Sequence, residues 1–328
     1  MLAYEADRRP TQHYNARAAE RALRSDVEEF LMTWGTETRA AGAIYDLGYQ
    51  QYRGTRLGRA NAFKSLLTFS LRTAFGLGRG VRSKIIPFVV LAIVFFPAVA
   101  TVFAASTTGM AALINYAGQL QFTGYLLALF AAAQAPELIV TDRQHGVLSL
   151  YLSRPLSGPD YAIAKLSALV GAMLVLTLGP QLFMFIGKIG ISATPWVAFK
   201  GEYRKLMPIV GGMFVVSCFM AAIGLSLASL ASRRAYASAA VIGFFLLMPA
   251  ISTLTREAST GDVKRYSILL NPLLVITGFA NWLFDIEARR RSTIGRADLP
   301  GTAYLYVVLG VCIAGIAILW WRYRRSEA

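Results

Sequence analysis

Six long apolar segments dominate the chain, and each is close to the length that crosses a lipid bilayer. They lie at about residues 85–105, 122–139, 161–186, 206–231, 235–254 and 304–321. A helix needs about 20 apolar residues to cross a hydrocarbon core of roughly 30 Å, and its backbone groups are then paired within the helix. The pattern therefore predicts an all-α polytopic membrane protein with six transmembrane helices.

A segment before the first span has a different pattern, in which apolar residues recur on one side of a helix. The positions at that spacing are Phe63, Leu66, Leu67, Ser70 and Leu71. Lys64 and Arg72 fall on the opposite side, so we predict that Arg59 to Arg79 forms a helix lying in the membrane interface. The chain is thereby divided into a polar cytoplasmic N-terminal segment (1–50), a basic amphipathic region (51–84) and a six-span domain (85–328).

A further apolar stretch, from Leu270 to Phe284, is too short to cross the bilayer as one straight helix. It belongs to the long polar connection before the last span. We expect short helices there, lying in the outer interface or re-entering the membrane, because their backbone groups must be paired in helices or buried in protein.

The connection between the second and third spans combines charged residues with an apolar face. Leu148, Tyr151 and Leu152 have helical spacing. They stand between Gly146, which ends the preceding helix, and Pro155, which stops the next one. A loop that merely joined two spans would need no apolar face, so we predict a small helix that docks on a partner. We call residues 140–160 the docking segment.

Charge indicates the orientation of the spans and the kind of partner. The net charge is +15, and basic residues at the ends of spans attract anionic lipid and control topology. Membrane lipid is therefore an expected partner, and nucleic acid is not. From Arg53 to Lys84 there are eight Lys and Arg residues and no acidic one, whereas residues 106–121 contain no charge. This difference predicts that both termini are cytoplasmic.

Two other outer connections fit that orientation less well, because they are basic. One contains Lys188, Lys200, Arg204 and Lys205, and the other, residues 255–302, contains seven basic and five acidic residues. The bias around the first span usually decides the topology. We therefore keep the cytoplasmic assignment of the termini.

Few residues of the chain are suited to catalysis or to metal binding. No phosphate-binding loop of the form Gly-x-x-x-x-Gly-Lys-Ser/Thr occurs. Cys218 and Cys312 fall inside apolar spans, and neither His13 nor His145 has a second ligand at metal-binding spacing. We assign no catalytic residue, no metal site and no cofactor to this chain, and we predict that it is not an enzyme.

The spans also contain almost no ionisable residues. An ion-coupled transporter usually has carboxylates near the bilayer centre, although each charged side chain there costs roughly 2.5 to 3.5 kcal/mol. Their scarcity indicates that any transport is driven from outside the membrane domain. An uncharged pathway also suits an amphiphilic or lipid-like substrate better than an ion.

Several motifs give the chain a resemblance to a known family. They are Ala135–Ile139, Asp142, Arg143, Gly146–Leu148, Leu150–Pro155, Asp160, Tyr161 and Lys165. With these residues the chain resembles the bacterial ABC exporter permeases of the type-2 membrane-subunit family. The residues Tyr45–Tyr49, Arg53, Gly54 and Ala74–Arg79 are similar to those of actinobacterial members in particular.

The resemblance implies a fold, a location and a set of partners. Such permeases have six spans, cytoplasmic termini, an interfacial helix before the first span and short extracellular helices before the last. They lie in the bacterial plasma membrane and work with a separate ABC ATPase subunit, in two copies, which holds ATP and Mg²⁺. A second permease completes the complex, and it is either a copy of this chain or a paralogue.

The resemblance also identifies the docking segment with the coupling helix that inserts into the ATPase. The candidate coupling residues are Asp142, Arg143, Gly146, Leu148, Tyr151, Leu152, Arg154 and Pro155. Among them, Arg143 and Arg154 are expected to pair with acidic groups of the partner. The residues expected to shape the membrane boundary are Pro136, Glu137, Asp160 and Lys165.

These observations predict the membrane-spanning subunit of an ATP-driven exporter of an amphiphilic or hydrophobic substrate. Two other functions stay open at this point. One is a non-transporting membrane scaffold, since sequence does not show turnover, and the other is an ion-coupled secondary transporter.

Overall fold

The structure is a computed structural model, and it describes most of the chain from residue 58 onward. The described residues are 24, 27–29, 58–110, 114–147, 150–151, 156–287 and 292–324. The chain divides into two units, Met1–Arg56 and Leu57–Ala328. Every helix below belongs to the second unit, and the predicted N-terminal segment lies almost entirely outside the described residues.

The described part of the chain is helical throughout and contains no β-strand. In order, its helices are α1 (Arg59–Ala74), α2 (Val81–Thr108), α3 (Tyr116–Gln144), α4 (Gly158–Ile191), α5 (Pro195–Glu202), a 3₁₀ turn (Tyr203–Lys205), α6 (Leu206–Leu230), α7 (Arg234–Ala258), α8 (Gly261–Tyr266), a second 3₁₀ turn (Ser267–Leu270), α9 (Pro272–Leu283), α10 (Thr293–Ala297) and α11 (Gly301–Arg324). The all-α prediction is confirmed.

Six helical segments among the described residues are long and apolar enough to cross a membrane. They are Ser83–Thr108, Tyr116–Gln144, Gly158–Ile191, Pro195–Leu230, Arg234–Ala258 and Gly301–Arg324. Each predicted span falls on one of them, so the prediction of six spans is confirmed. The fourth segment joins α5, the first 3₁₀ turn and α6.

The helix α6 lies at the centre of the bundle, where it packs against α3, α4, α7 and α11. Small residues permit these close crossings. A Cβ atom added at Gly224 would lie 3.0 Å from the Cβ of Ala131 in α3. One added at Gly315 in α11 would lie 2.8 Å from the Cβ of Ala222. By contrast, α2 and α7 expose many large apolar side chains.

The helix α1 occupies the position predicted for the interfacial helix, and it packs against α4. Leu66 and Ser70 of its apolar face are buried, whereas Lys64 and Arg72 are exposed. The prediction of a helix is thus confirmed from Arg59 to Ala74, but the helix does not continue to Arg79, because the chain turns at Gly76, which has a φ of +67°. Its position in a membrane interface stays a prediction.

Short helices precede the last span, as the sequence predicts. The pair formed by Gly261–Leu270 and Pro272–Leu283 is bent by 95° at Asn271, whose side chain accepts hydrogen bonds from the backbone of Leu273 and Leu274. The bent pair is apolar enough to count together as one broken span. The helix α9 packs against α3 and α11. Its backbone groups are therefore paired within a helix and covered by neighbouring helices, as expected.

The basic connection after α4 contains its own acidic partner. Lys188 Nζ lies 2.8 Å from a carboxylate oxygen of Glu202, and Lys205 Nζ lies 3.0 Å from the other. Lys200 Nζ stands 5.3 Å from the ring centroid of Trp196, within the range of a cation–π contact. The positive charge that fitted the predicted orientation poorly is therefore partly neutralised within this connection.

Candidate functional site

The docking segment begins in the last two turns of α3 and ends in the first turn of α4. These two helices contain 29 and 34 residues, so at 1.5 Å per residue they are about 43 and 51 Å long. The hydrocarbon core is only about 30 Å thick. Each helix is therefore longer than the core is thick, and the charged residues around the docking segment lie near the adjoining ends of the two helices.

A glycine ends α3 in a defined geometry. Gly146 has a φ of +64°, which favours glycine. Its N–H donates to the carbonyl of Arg143, and the N–H of Val147 donates to the carbonyl of Asp142. This pair of hydrogen bonds is a Schellman motif, a common helix ending. The sequence prediction that Gly146 interrupts the helix agrees with the backbone.

An ion pair between Asp142 and Lys165 joins α3 to α4 beside the docking segment. Lys165 Nζ lies 2.7 Å from Asp142 Oδ2, and the lysine side chain is 2% exposed. Lysine is almost never buried to this extent unless it is paired. The hydroxyl of Tyr161 donates a hydrogen bond to the same carboxylate oxygen at 2.9 Å. One carboxylate thus holds two side chains of α4.

Aromatic rings extend this cluster to the docking segment and to α11. The ring centroid of Tyr161 lies 5.8 Å from that of Tyr151 and 5.4 Å from that of Tyr323. Lys165 Nζ stands 5.9 Å and 5.4 Å from the centroids of Tyr151 and Tyr161. Both distances suit cation–π attraction. Tyr151 of the docking segment therefore packs on the buried ion pair.

A second carboxylate in α3, that of Glu137, bridges two arginines. Arg79, from the loop before α2, pairs with one oxygen, and Arg234, at the start of α7, lies 2.7 Å from the other. Glu137 is nearly buried. It follows Pro136, which α3 accommodates without ending. These two boundary residues thus lie inside the helix, where Glu137 connects three parts of the bundle.

The arginine next to Asp142 has its hydrogen-bonding groups directed into the protein. The two terminal nitrogens of Arg143 donate to the backbone carbonyls of Ser229, at 3.0 Å, and of Ala231. The next side chain, Gln144, donates to the carbonyl of Ser232 at 3.5 Å. A pairing of Arg143 with an acidic group of a partner stays a prediction.

The start of α4 is fixed by Asp160. Its carboxylate accepts a hydrogen bond from the N–H of Ser157, whose hydroxyl accepts one from the N–H of Asp160. This reciprocal pair is a capping box. Arg59 of α1 donates to both carboxylate oxygens, at 2.8 and 2.6 Å, and these hydrogen bonds raise the pKa of the Arg59 guanidinium above its ordinary value. The same side chain therefore caps α4 and anchors α1.

Several candidate residues lie outside the described residues, namely Leu148, Leu152, Arg154 and Pro155. Their roles stay predictions. The structure adds residues that were not among the candidate coupling residues. Leu150, which was part of a family motif, is one of them, since 65% of its surface is exposed. Tyr323 and Arg234 are others, and they had no local signal because they lie far along the chain from their contacts.

The described residues contain no group of three or more His, Cys, Asp or Glu that could hold a metal ion. The cluster at the docking segment is instead a set of paired charges and stacked rings. Such an arrangement fixes helices relative to one another. It offers neither an open nucleophile nor a vacant ligand set.

Comparison with protein families gives one result that covers the site. A family model described as "ABC-2 family transporter protein" matches residues 15–328. The match includes α1 to α11 and the docking segment. No curated protein matches the chain.

Replacing Lys165 by methionine should lower the stability of the protein, because the Asp142 carboxylate would lose its cation in a largely buried position. Removing one member of a buried ion pair costs about 3 to 5 kcal/mol. We expect a lower midpoint of thermal unfolding for Lys165→Met in detergent. Adding Asp142→Asn, which removes the unpaired charge, should recover part of the loss.

The matched control is Lys64→Met, which removes an exposed lysine of α1 and should leave the midpoint unchanged. Unfolding of Lys165→Met at the wild-type temperature would contradict the assigned role of the ion pair. A double variant no more stable than Lys165→Met alone would contradict it as well.

Proposed function

Since the chain belongs to the ABC-2 family of transporter membrane proteins and is the membrane permease subunit of such a transporter, we propose that an ATPase drives it through the docking segment. ABC-2 permeases work with ABC ATPase subunits. The energy source that the uncharged spans lack is thereby supplied by a partner.

The observation that supports the docking segment as the place where the ATPase acts is the buried cluster of Tyr151, Tyr161, Lys165 and Asp142. Tyr151 packs on Tyr161, and through Lys165 and Asp142 the segment is joined to both flanking helices. A force applied to the segment would therefore move α3 and α4 together. A loosely attached loop would absorb the same force without moving the spans.

Apolar groups of the docking segment are suited to a cleft in the partner. The predicted apolar face consists of Leu148, Tyr151 and Leu152, and the exposed Leu150 adds a further apolar side chain. Helices that bind in grooves use apolar anchors at helical spacing. Arg154 is expected to pair with an acidic group at the edge of that cleft.

The composition of the spans supports an amphiphilic or lipid-like substrate. Each span contains an uncharged stretch of bilayer-crossing length, and examples are Leu206–Leu230 and Gly301–Trp321. A pathway along such helices offers little to stabilise an ion, since charge within the bilayer is costly unless it is paired. We propose export of such a substrate from the side on which the ATPase docks.

The family resemblance extends the proposal to the assembly. We propose a bacterial plasma-membrane complex, resembling that of actinobacterial members, with two ATPase copies and a second permease. That permease is either this chain or a paralogue. The exposed apolar faces of α2 and α7 are available for lipid and for that second permease. Both termini, and the docking segment with them, are assigned to the cytoplasmic side.

The double variant Leu148→Ala with Tyr151→Ala should weaken association with the ATPase, because it removes Leu148 from the predicted apolar face and the ring of Tyr151 that holds the segment on Tyr161 and Lys165. We expect less ATPase to copurify with the variant and a loss of the permease-dependent part of ATP hydrolysis. Leu150→Ala should act in the same direction with a smaller effect.

The matched control for Leu150 is Leu254→Ala, because both leucines are 65% exposed. Leu254 lies near the C-terminal end of α7, whereas Glu137 contacts the N-terminal end of that helix. This control should copurify with the ATPase as the wild type does. Unchanged copurification and unchanged ATP hydrolysis in the double variant would show that the apolar face is not the docking element.

Lipid transport can be measured with the complex reconstituted in liposomes that contain a nitrobenzoxadiazole-labelled phospholipid. When ATP is added outside, only complexes whose ATPase faces outward are driven, and export then moves the probe to the inner leaflet. We expect a larger fraction of probe protected from dithionite with ATP than without it. ATP-driven movement of small hydrophilic solutes in place of the lipid would refute the proposed substrate class.

A further inference from the structure

At the end of helix α6 the N–H of Ala231 donates to the carbonyl of Ala228, which leaves the carbonyls beyond Ala228 to be satisfied by other groups. Its last turn contains no basic residue, and the following residue, Ala231, is extended with φ −83° and ψ 148°. A glycine in the left-handed conformation, which ends many helices, is therefore absent at this position. The last carbonyls of a helix carry a partial negative charge and need donors from elsewhere.

The donors come from α3, through Arg143. One terminal nitrogen donates to the carbonyl of Ser229 at 3.0 Å, and the other donates to the carbonyl of Ala231. The guanidinium fork is planar and presents several donors at once, whereas a lysine presents a single point charge. Arg143 therefore caps α6 from a different helix, and it does so from within the docking segment.

Two neighbouring contacts hold the same turn, residues 231–233, which connects α6 to α7. Gln144 donates to the carbonyl of Ser232 at 3.5 Å, and Glu137 pairs with Arg234 at 2.7 Å. With Arg143, three side chains from the last two turns of α3 thus reach both sides of the turn. Among the three, Arg143 is the one that makes two hydrogen bonds to the backbone at the end of α6.

From these contacts we propose that Arg143 is a positioning residue that makes the α6–α7 turn move together with the docking segment when the ATPase moves that segment. The inference rests on the proposed function, because the movement is that of the ATPase. It adds a route by which motion reaches α6, the central helix, and α7, which exposes an apolar face. Without Arg143 the turn would keep its contacts with Gln144 and Glu137, but the end of α6 would lose the two hydrogen bonds that tie it to the docking segment.

Hydrogen exchange measured by mass spectrometry on the permease–ATPase complex in nanodiscs tests this route without knowledge of the substrate. The complex is compared in the absence of nucleotide and after trapping with ATP and vanadate. In the wild type we expect exchange to change in two peptides, that of the docking segment and that of residues 229–236.

In Arg143→Met the docking-segment peptide should keep its response to trapping, whereas the peptide of residues 229–236 should lose it. Exchange of that second peptide without nucleotide should rise roughly tenfold, because two charge-assisted hydrogen bonds are lost. Arg143→Lys should recover part of the response. Arg72→Met, which removes an exposed arginine of α1, is the matched control and should behave as the wild type.

The outcomes separate this inference from the proposed function. If the docking-segment peptide of the wild type responds but residues 229–236 do not, the inference is wrong and the proposed function stands. The same conclusion follows if Arg143→Met keeps the full response of residues 229–236. If the docking-segment peptide of the wild type does not respond with the ATPase bound, both are wrong. The wild-type and Arg143→Lys measurements decide the matter even if Arg143→Met does not fold.

Discussion

The pairing of Lys165 with Asp142 is the interaction on which the end of the bundle beside the docking segment depends. A lysine that is 2% exposed needs a partner for its side-chain nitrogen, because burying an unpaired charge is costly. The pair therefore fixes the distance between α3 and α4, and Tyr161 fixes its orientation. Tyr151 and Tyr323 pack on this core, so the docking segment and α11 take their positions from it.

The same constraint explains why charges gather at the ends of the helices. The middle of each span is uncharged, and charged side chains occur towards the ends of the helices. There they are used to join elements that are distant in sequence. Asp160 joins α4 to α1, Glu137 joins α3 to α7, and Arg143 joins α3 to α6. The helix ends around the docking segment are thus connected by polar contacts, and the spans mainly by apolar packing.

Most of the fold could be predicted from the sequence, because only long uncharged helices cross a bilayer in this class of protein. Such helices appear in the sequence as apolar segments of about 20 residues. The position of α1 and the short helices before the last span followed from helical periodicity and from length. The contacts of Glu137 could not be predicted, since Arg79 and Arg234 lie 58 and 97 residues away and no local pattern pairs them. In the docking segment, the helix end at Gly146 could be predicted because helix ends follow local sequence rules. The contacts of Arg143 with the backbone of α6 could not be predicted, because they depend on where α6 ends.

The most direct test of the account is photo-crosslinking from the docking segment to the ATPase. A benzophenone amino acid replaces Leu150 in the assembled complex, and the same amino acid at Leu254 serves as the comparison. We expect an ATPase crosslink from position 150 and none from position 254. An active complex that gives no ATPase crosslink from position 150, or an equal yield from both positions, would contradict the claim that ATP-driven motion enters the permease through the docking segment.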